Sequence, residues 1–172
     1  RQAYVASANQ ASTDSTYPYY YINGDFRDAR ALTINQALRS GDDLTVADMQ
    51  ALQLNNFDIE AHSFVNKILD LLPESSVRTT LSNWDGIYNA ECNTCILVEI
   101  LKKEVEDLVF DELRDEELEF KVPSLWRLME LIETDMRHKI FDLKDTPERE
   151  GFQSLLLMAW EKALEQWKSV GD

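Results

Sequence analysis

The sequence contains few of the residues that make turns and crosslinks. Among its 172 residues are only 5 Gly, 4 Pro, 2 Cys and 2 His. So few Gly and Pro argue against a sandwich or barrel of many short strands, which needs a turn at each strand end. Two cysteines cannot form the multi-disulfide framework of a small secreted domain, and they do not decide the redox compartment.

Basic residues are also scarce. The chain has 17 Lys and Arg against 32 Asp and Glu, a formal net charge of −15. Nucleic acids and anionic membrane surfaces bind clustered positive charge, so both are disfavoured as partners. No apolar run approaches the roughly 20 residues that a membrane-spanning helix needs. We therefore expect no nucleic-acid partner and no membrane partner.

The apolar content is sufficient for a folded core. Hydrophobic residues make up 44% of the chain and aromatic residues 10%, which excludes disorder as the main state. The length suits one domain. The chain begins Arg1-Gln2-Ala3, without an initiator Met or a signal peptide, so we expect a fragment or a processed chain.

The pattern predicts a non-helical head and a helical body. Residues 4–9 resemble a short strand, and residues 10–25 are polar and aromatic without a helical period. We divide the chain into a strand/loop segment, 1–25, and an α-helical domain, 26–172. The fold class is therefore mainly α, with a short N-terminal strand/loop segment.

Capping and breaking residues place the helices. The first is expected to begin after Asp25 and to end near Arg39, and Thr45 with Asp48 forms a capping box for the second. The amphipathic stretch that follows is either one bent helix or two, and Pro73 ends it. Later helices are expected near 77–81, 95–110 and after Ser124, and the last from Thr146-Pro147-Glu148 to Gly171.

The Cys92-Asn93-Thr94-Cys95 motif is the first candidate for chemistry. Zinc sites and redox dithiols both use this spacing. A structural zinc needs about four Cys or His ligands, and only His62 and His138 could join the pair. A thioredoxin-like dithiol needs a βαβ context, which is lacking. We expect the cysteines to be small residues in or near a helical core.

The remaining titratable residues are expected to be structural. His62 and His138 have no nucleophile or second His at a recognisable spacing, which predicts surface or cap histidines. The acidic runs at 111–112 and 115–117 could be paired carboxylates for glycoside hydrolysis. Runs of like charge on a helix are more often a solvated surface, which is how we interpret them.

Polar residues of the head offer a different chemistry. An Asn where a strand ends, such as Asn9, can direct its amide group at an anion that develops on a reacting carbonyl. An Arg on the first turn of the following helix, such as Arg27, can orient that Asn or hold a carboxylate. From the residues alone, a turn at Asn9 and a surface ion pair at Arg27 are the simpler interpretation.

An ordered series of motifs resembles the penicillin acylase (penicillin amidase) family of N-terminal-nucleophile hydrolases. The series follows the chain in order: Ala8-Asn9-Gln10, Tyr17-Pro18, Arg27-Asp28-Ala29-Arg30, residues 44–53, residues 81–86 and residues 108–113. Each piece alone is weakly specific, whereas the ordered series spans most of the chain. The resemblance implies the helical segment of a β chain, excised from an αββα core.

The resemblance also implies a reaction and two site residues. The family hydrolyses a non-peptide amide bond with an N-terminal Ser, whose own α-amino group is the base. Asn9 matches the Asn that lines the oxyanion hole, and Arg27 matches the active-site Arg beside it. Arg1 is not a nucleophile, so this chain is expected to be inactive alone.

Expectations about cofactor, partner and location follow from the same resemblance. Some relatives place a calcium-binding Asp at the position of Tyr21, so no cofactor is expected in this fragment, although the intact enzyme could hold calcium. The expected partners are the small chain and the nucleophile-bearing part of the β chain, with a small acyl amide as substrate. The expected location is periplasmic or secreted. The alternative is an acidic helical protein-interaction module with no catalytic role.

Overall fold

A computed structural model of the chain describes residues 4–8, 10–11, 13, 16–19, 29–41, 43–114 and 121–170. This part of the chain is mainly helical, as predicted, and residues 4–8 form no strand within it. Its α-helices are α1 (Ala29–Ser40), α2 (Val46–Gln53), α3 (Ile59–Ile68), α4 (Ser76–Ser82), α5 (Asn93–Val109), α6 (Leu125–Thr134) and α7 (Phe152–Val170). Short 3₁₀ helices cover Leu69–Leu71, Asp111–Leu113 and Lys139–Phe141.

The chain divides into two compact units, Arg1–Ile59 and Glu60–Asp172. The predicted division at residue 25 lies in a stretch, 20–28, outside the described residues, and it stays a prediction. In the first unit, α1 ends at Ser40, as Ser40-Gly41 predicts. The long amphipathic stretch is two helices, α2 and α3, rather than one bent helix.

The capping box predicted at the start of α2 is present. The Thr45 side chain accepts from the Asp48 N–H, and the Asp48 carboxylate accepts from the Thr45 N–H at 2.8 Å. These two bonds satisfy amide groups that a helix start leaves without partners. The Thr45 hydroxyl also donates to the Asp48 carboxylate at 2.7 Å, and this bond, followed by the one from the Thr45 N–H, holds the pKa of Asp48 below its ordinary value.

The core of the second unit lies mainly between α5 and α7, which make the most extensive helix–helix contact among the described residues. Leu101 of α5 and Leu155 of α7 are fully buried. Each such side chain contributes about 1.5–3 kcal/mol by leaving water. Other fully buried large side chains are Phe64, Ile68, Leu97, Leu128, Phe141, Phe152 and Leu156.

A partly buried hydrogen bond also connects α3 with the start of α6. The backbone N–H of Trp126, in the first turn of α6, donates to the Glu60 carboxylate of α3 at 3.2 Å. Ser124, at the N-cap of α6, makes no side-chain capping bond, so Glu60 supplies an acceptor there. An acidic group at a helix N-terminus also interacts favourably with the helix dipole.

The predicted start of the last helix is wrong. α7 begins at Phe152 and not at Thr146-Pro147-Glu148. The Glu150 carboxylate accepts from the Leu143 N–H at 3.2 Å and from the Thr146 hydroxyl at 3.1 Å, and the Glu150 N–H donates to Asp142 at 3.1 Å. These bonds hold the segment in turns, because side chains that bond nearby backbone compete with helix formation.

Candidate active-site segment

The side chain of Gln10 holds the backbone that precedes position 9. Its Oε1 accepts from the Ala8 N–H at 2.6 Å, and its Nε2 donates to the Ala6 carbonyl at 3.3 Å. One amide side chain therefore satisfies a backbone donor and a backbone acceptor within five residues. Ala8 and Gln10, the two described residues of the motif, thus belong to a locally hydrogen-bonded segment.

A second contact joins this segment to α1. The Tyr4 hydroxyl donates to the Asn35 side-chain oxygen at 3.0 Å and lies 3.3 Å from the Asn35 carbonyl. Asn35 itself donates to the Ala31 carbonyl at 2.7 Å, and Ala31 is buried. The N-terminal segment is therefore fastened to the helix whose first residue, Ala29, follows Arg27 by two positions.

The two predicted site residues, Asn9 and Arg27, both lie outside the described residues, so their roles stay predictions. Sequence reasoning missed Tyr4 and Asn35, which fasten the segment. These two residues are 31 positions apart, and no local pattern indicates a contact over that separation.

The aromatic part of the segment is exposed where it is described. The rings of Tyr17 and Tyr19 meet edge to face, with their centroids 6.0 Å apart. Tyr19 is 72% exposed. Tyr21, the position matched to a calcium-binding Asp, lies outside the described residues. Among the residues that are described, no three His, Cys, Asp or Glu side chains group as metal ligands.

Two further motifs of the resemblance have structural roles. Residues 81–86 end α4 and form the predicted turn, in which Gly86 has φ 79°, a conformation that favours glycine. The Ile87 N–H then donates to Asp85 at 3.0 Å. Residues 108–113 end α5 and continue into a 3₁₀ helix.

The predicted surface carboxylates and histidines are partly as expected where they are described, and the acidic run at 115–117 lies outside the described residues. Asp111 is only half exposed, and its carboxylate accepts from the Lys144 N–H at 3.0 Å, so it joins two segments of the second unit rather than only facing solvent. His138 is a cap histidine, as predicted, because its Nδ1 accepts from the Ile140 N–H at 3.3 Å. His62 is half-buried beside Trp84, with ring centroids 6.3 Å apart.

The cysteine motif differs from the sequence prediction in one respect. Cys95 is 6% exposed and belongs to the core, as expected. Cys92 lies outside the helix, at the N-cap of α5, and its sulfur is bonded to that of Cys95 in a disulfide. The spacing suits free thiols, zinc ligands or a disulfide, and the structure shows the last of these.

The described residues are mainly α-helical and fall into two compact units, and none of their helices is long and apolar enough to span a bilayer. The family model of penicillin amidase matches residues 1–172. The chain therefore belongs to the penicillin amidase family. Neither the curated proteins nor the solved structures yielded a match.

Proposed function

We propose that this chain is part of a penicillin-acylase-like amidohydrolase that cleaves a carbon–nitrogen bond in a non-peptide acyl amide. The observation that carries the proposal is the match of the penicillin amidase family over the whole of residues 1–172. The hydrogen bond from Tyr4 to Asn35, which attaches the N-terminal segment to α1, also supports the proposal, because a site residue must be held in position by its surroundings.

In the proposed mechanism the nucleophile is an N-terminal Ser supplied outside these residues. Its α-amino group takes the hydroxyl proton as the oxygen attacks the carbonyl carbon, and the carbonyl oxygen becomes an anion. The side-chain amide of Asn9 donates to that anion. A donor of this kind lowers the barrier by about 3–4 kcal/mol, because its bond is strongest in the transition state.

Arg27 is proposed to act beside Asn9. A guanidinium carries several N–H donors in a fixed plane and keeps its charge at all working pH values. At position 27 it precedes α1, the helix to which Tyr4 fastens the segment of Asn9. We propose that Arg27 orients the Asn9 amide through the groups around it, and that it does not bond the reacting atoms.

The proposed partners are the small chain and the nucleophile-bearing part of the same acylase. Apolar side chains of the first unit support this, because several that would normally be covered are exposed. Val46 is 76% exposed and Leu54 is 84% exposed at the two ends of α2. Among the described residues of this unit, Ala31 is the one buried apolar residue. We propose that the rest of the enzyme covers these side chains.

The proposed location is periplasmic or secreted. Membership of the penicillin amidase family supports this location. The proposed substrate class is a small acyl amide, with the side chains of β-lactams and the N-acyl homoserine lactones as the candidates to assay first. Alone, these residues are proposed to be inactive, because the Ser of the proposed mechanism is not among them.

The test is Asn9→Ala in the intact acylase. We expect kcat for an N-acyl amide to fall about 10²–10³-fold with little change in KM, since the lost bond acts in the transition state. Asn66→Ala is the matched control, because Asn66 is exposed on α3 and lies outside the motifs of the resemblance. An unchanged kcat in Asn9→Ala would refute the oxyanion role, whereas a full-length protein that hydrolyses no N-acyl amide would favour the interaction module.

A further inference from the structure

The disulfide between Cys92 and Cys95 lies at the N-terminus of α5, a helix of 17 residues. Cys92 is the N-cap residue, and its sulfur accepts from the Cys95 N–H at 3.1 Å. A thiolate at this position would keep that hydrogen bond and would face the positive end of the helix dipole. The start of α5 therefore stabilises the anion that forms at Cys92 when the disulfide is reduced, and the negative charge of the neighbouring Glu91 opposes it.

The two sulfurs are not equally accessible. Cys95 is 6% exposed and packs in the hydrophobic core, whereas Cys92 is half-buried at the edge of that core. Both cysteines line a cavity of about 480 Å³, together with Tyr88, Ile96 and Glu99. A small reductant that enters this cavity can reach the sulfur of Cys92 more readily than that of Cys95.

We propose that Cys92 and Cys95 form a redox-active disulfide that exchanges with an external dithiol bound in this cavity. Cys92 is the sulfur that is attacked, and Cys95 is the sulfur that leaves. This activity is separate from the proposed amide hydrolysis and needs neither Asn9 nor Arg27.

The exchange takes place in two steps. In the first, a thiolate of the external dithiol attacks the Cys92 sulfur, the Cys92–Cys95 bond breaks, and Cys95 leaves as a thiolate that takes up a proton. In the second, the other sulfur of the dithiol, as a thiolate, attacks the dithiol sulfur of the mixed disulfide, and Cys92 leaves as a thiolate that takes up the second proton. The dithiol loses two electrons and becomes a disulfide, while the two cysteines gain those electrons and the two protons.

The fold is expected to survive reduction. The disulfide closes a loop between residues only three positions apart, and such a short loop restricts the unfolded chain least. Cys95 stays in the core in either state, and α5 is held along its length by α7. Reversible reduction therefore does not require the second unit to unfold.

The charge around the cavity selects the reductant. Glu91 and Glu99 both line it, whereas no Lys or Arg does so among the described residues. Lys102 offsets the charge of Glu99, since the two side chains form an ion pair at 2.8 Å. The exposed Glu91 still adds negative charge beside Cys92. A neutral or cationic dithiol is therefore favoured over an anionic one, with a difference that salt reduces.

The first experiment reduces the full 172-residue chain with dithiothreitol at pH 7, in buffer and in urea that unfolds it, and counts alkylated cysteines by mass spectrometry. We expect native reduction within about tenfold of the unfolded rate, with the far-ultraviolet circular dichroism unchanged. Native reduction slower by about a hundredfold or more would overturn the proposal, because the disulfide would then open only with unfolding.

Tryptophan fluorescence provides an independent readout of the same reaction. The Trp167 indole N–H donates to the carbonyl and to the side-chain oxygen of Asn93, at 3.1 and 3.0 Å, next to Cys92 in the sequence. Disulfides quench nearby indoles, so emission is expected to rise on reduction. In Trp167→Phe most of that rise should disappear, while the alkylation rate stays the same.

Single variants test which sulfur reacts. In Cys95→Ser, the Cys92 thiol should react with the neutral reagent 4,4′-dithiodipyridine at least about tenfold faster than Cys95 does in Cys92→Ser. The double variant is the control and should not react. Equal rates, or a faster Cys95, would overturn the assignment of Cys92 as the attacked sulfur.

Discussion

A buried carboxylate in the second unit offers a sharp test of how α5 and α7 are held together. Glu104 of α5 is 8% exposed, and its Oε1 accepts from the Gln166 amide of α7 at 2.6 Å. Gln166→Leu removes this donor and leaves the carboxylate with its negative charge in place. A buried charge without its hydrogen bond is costly, because water cannot fully replace the lost partner.

The size of the effect follows from the exposure of the two residues. Hydrogen bonds to charged groups contribute about 1.5–3 kcal/mol. Gln166 is exposed, so water can partly replace it, and we expect a loss of about 1.5–2 kcal/mol in the free energy of unfolding. In Glu104→Leu/Gln166→Leu the charge is removed together with its donor, so a smaller loss is expected.

The assay is urea unfolding at pH 7 followed by tryptophan fluorescence. All 4 Trp residues of the chain lie in the second unit, so the signal reports that unit alone. Gln153→Leu is the matched control, because Gln153 is exposed on the same helix. A Gln166→Leu variant as stable as this control, or a double variant less stable than Gln166→Leu, would refute the reasoning.

Two further predictions concern the same helix, α5. Leu101→Ala, at a fully buried position, should lower the free energy of unfolding by about 2–5 kcal/mol, whereas Ile96→Ala, at a position 40% exposed, should cost much less in the same urea assay. Burial raises the pKa of Glu106, with Lys102 opposing that shift. The ionised carboxylate therefore destabilises the fold above its raised pKa, so Glu106→Gln should stabilise the chain at pH 7. This gain in the free energy of unfolding should vanish when urea unfolding is measured at a pH below the ordinary pKa of a carboxyl group, where Glu106 is protonated in both states. A gain that is the same at every pH would contradict the buried charge as its cause.

Local patterns predict much of the helical structure. The capping box at Thr45 and Asp48 follows from two residue types at the right spacing, and the structure confirms it. The periodic apolar residues of α5 and the break before α6 are likewise visible in the sequence. These features depend on residues within a few positions of one another, which is the range that a local pattern covers.

Features that depend on tertiary contacts are not predicted by such patterns. The late start of α7 results from bonds of Glu150 to Leu143 and Thr146, and the pattern of a Pro and an acid at 147–148 indicates only that a helix can begin there. The Cys92–Cys95 disulfide does not follow from the spacing, because the same spacing suits several kinds of site. Asn9 comes from the family resemblance, and local physics alone favours a turn at that position.

The measurement that tests the central claim most directly compares two inhibitors of the intact acylase, a tetrahedral boronate or phosphonate analogue and a planar amide of the same acyl group. An oxyanion donor bonds the tetrahedral form more strongly than the planar form. Asn9→Ala should therefore weaken the tetrahedral analogue about 10²–10³-fold and leave the Kd of the planar amide nearly unchanged. Equal weakening of both, or of neither, would contradict the assignment of Asn9 as the oxyanion donor.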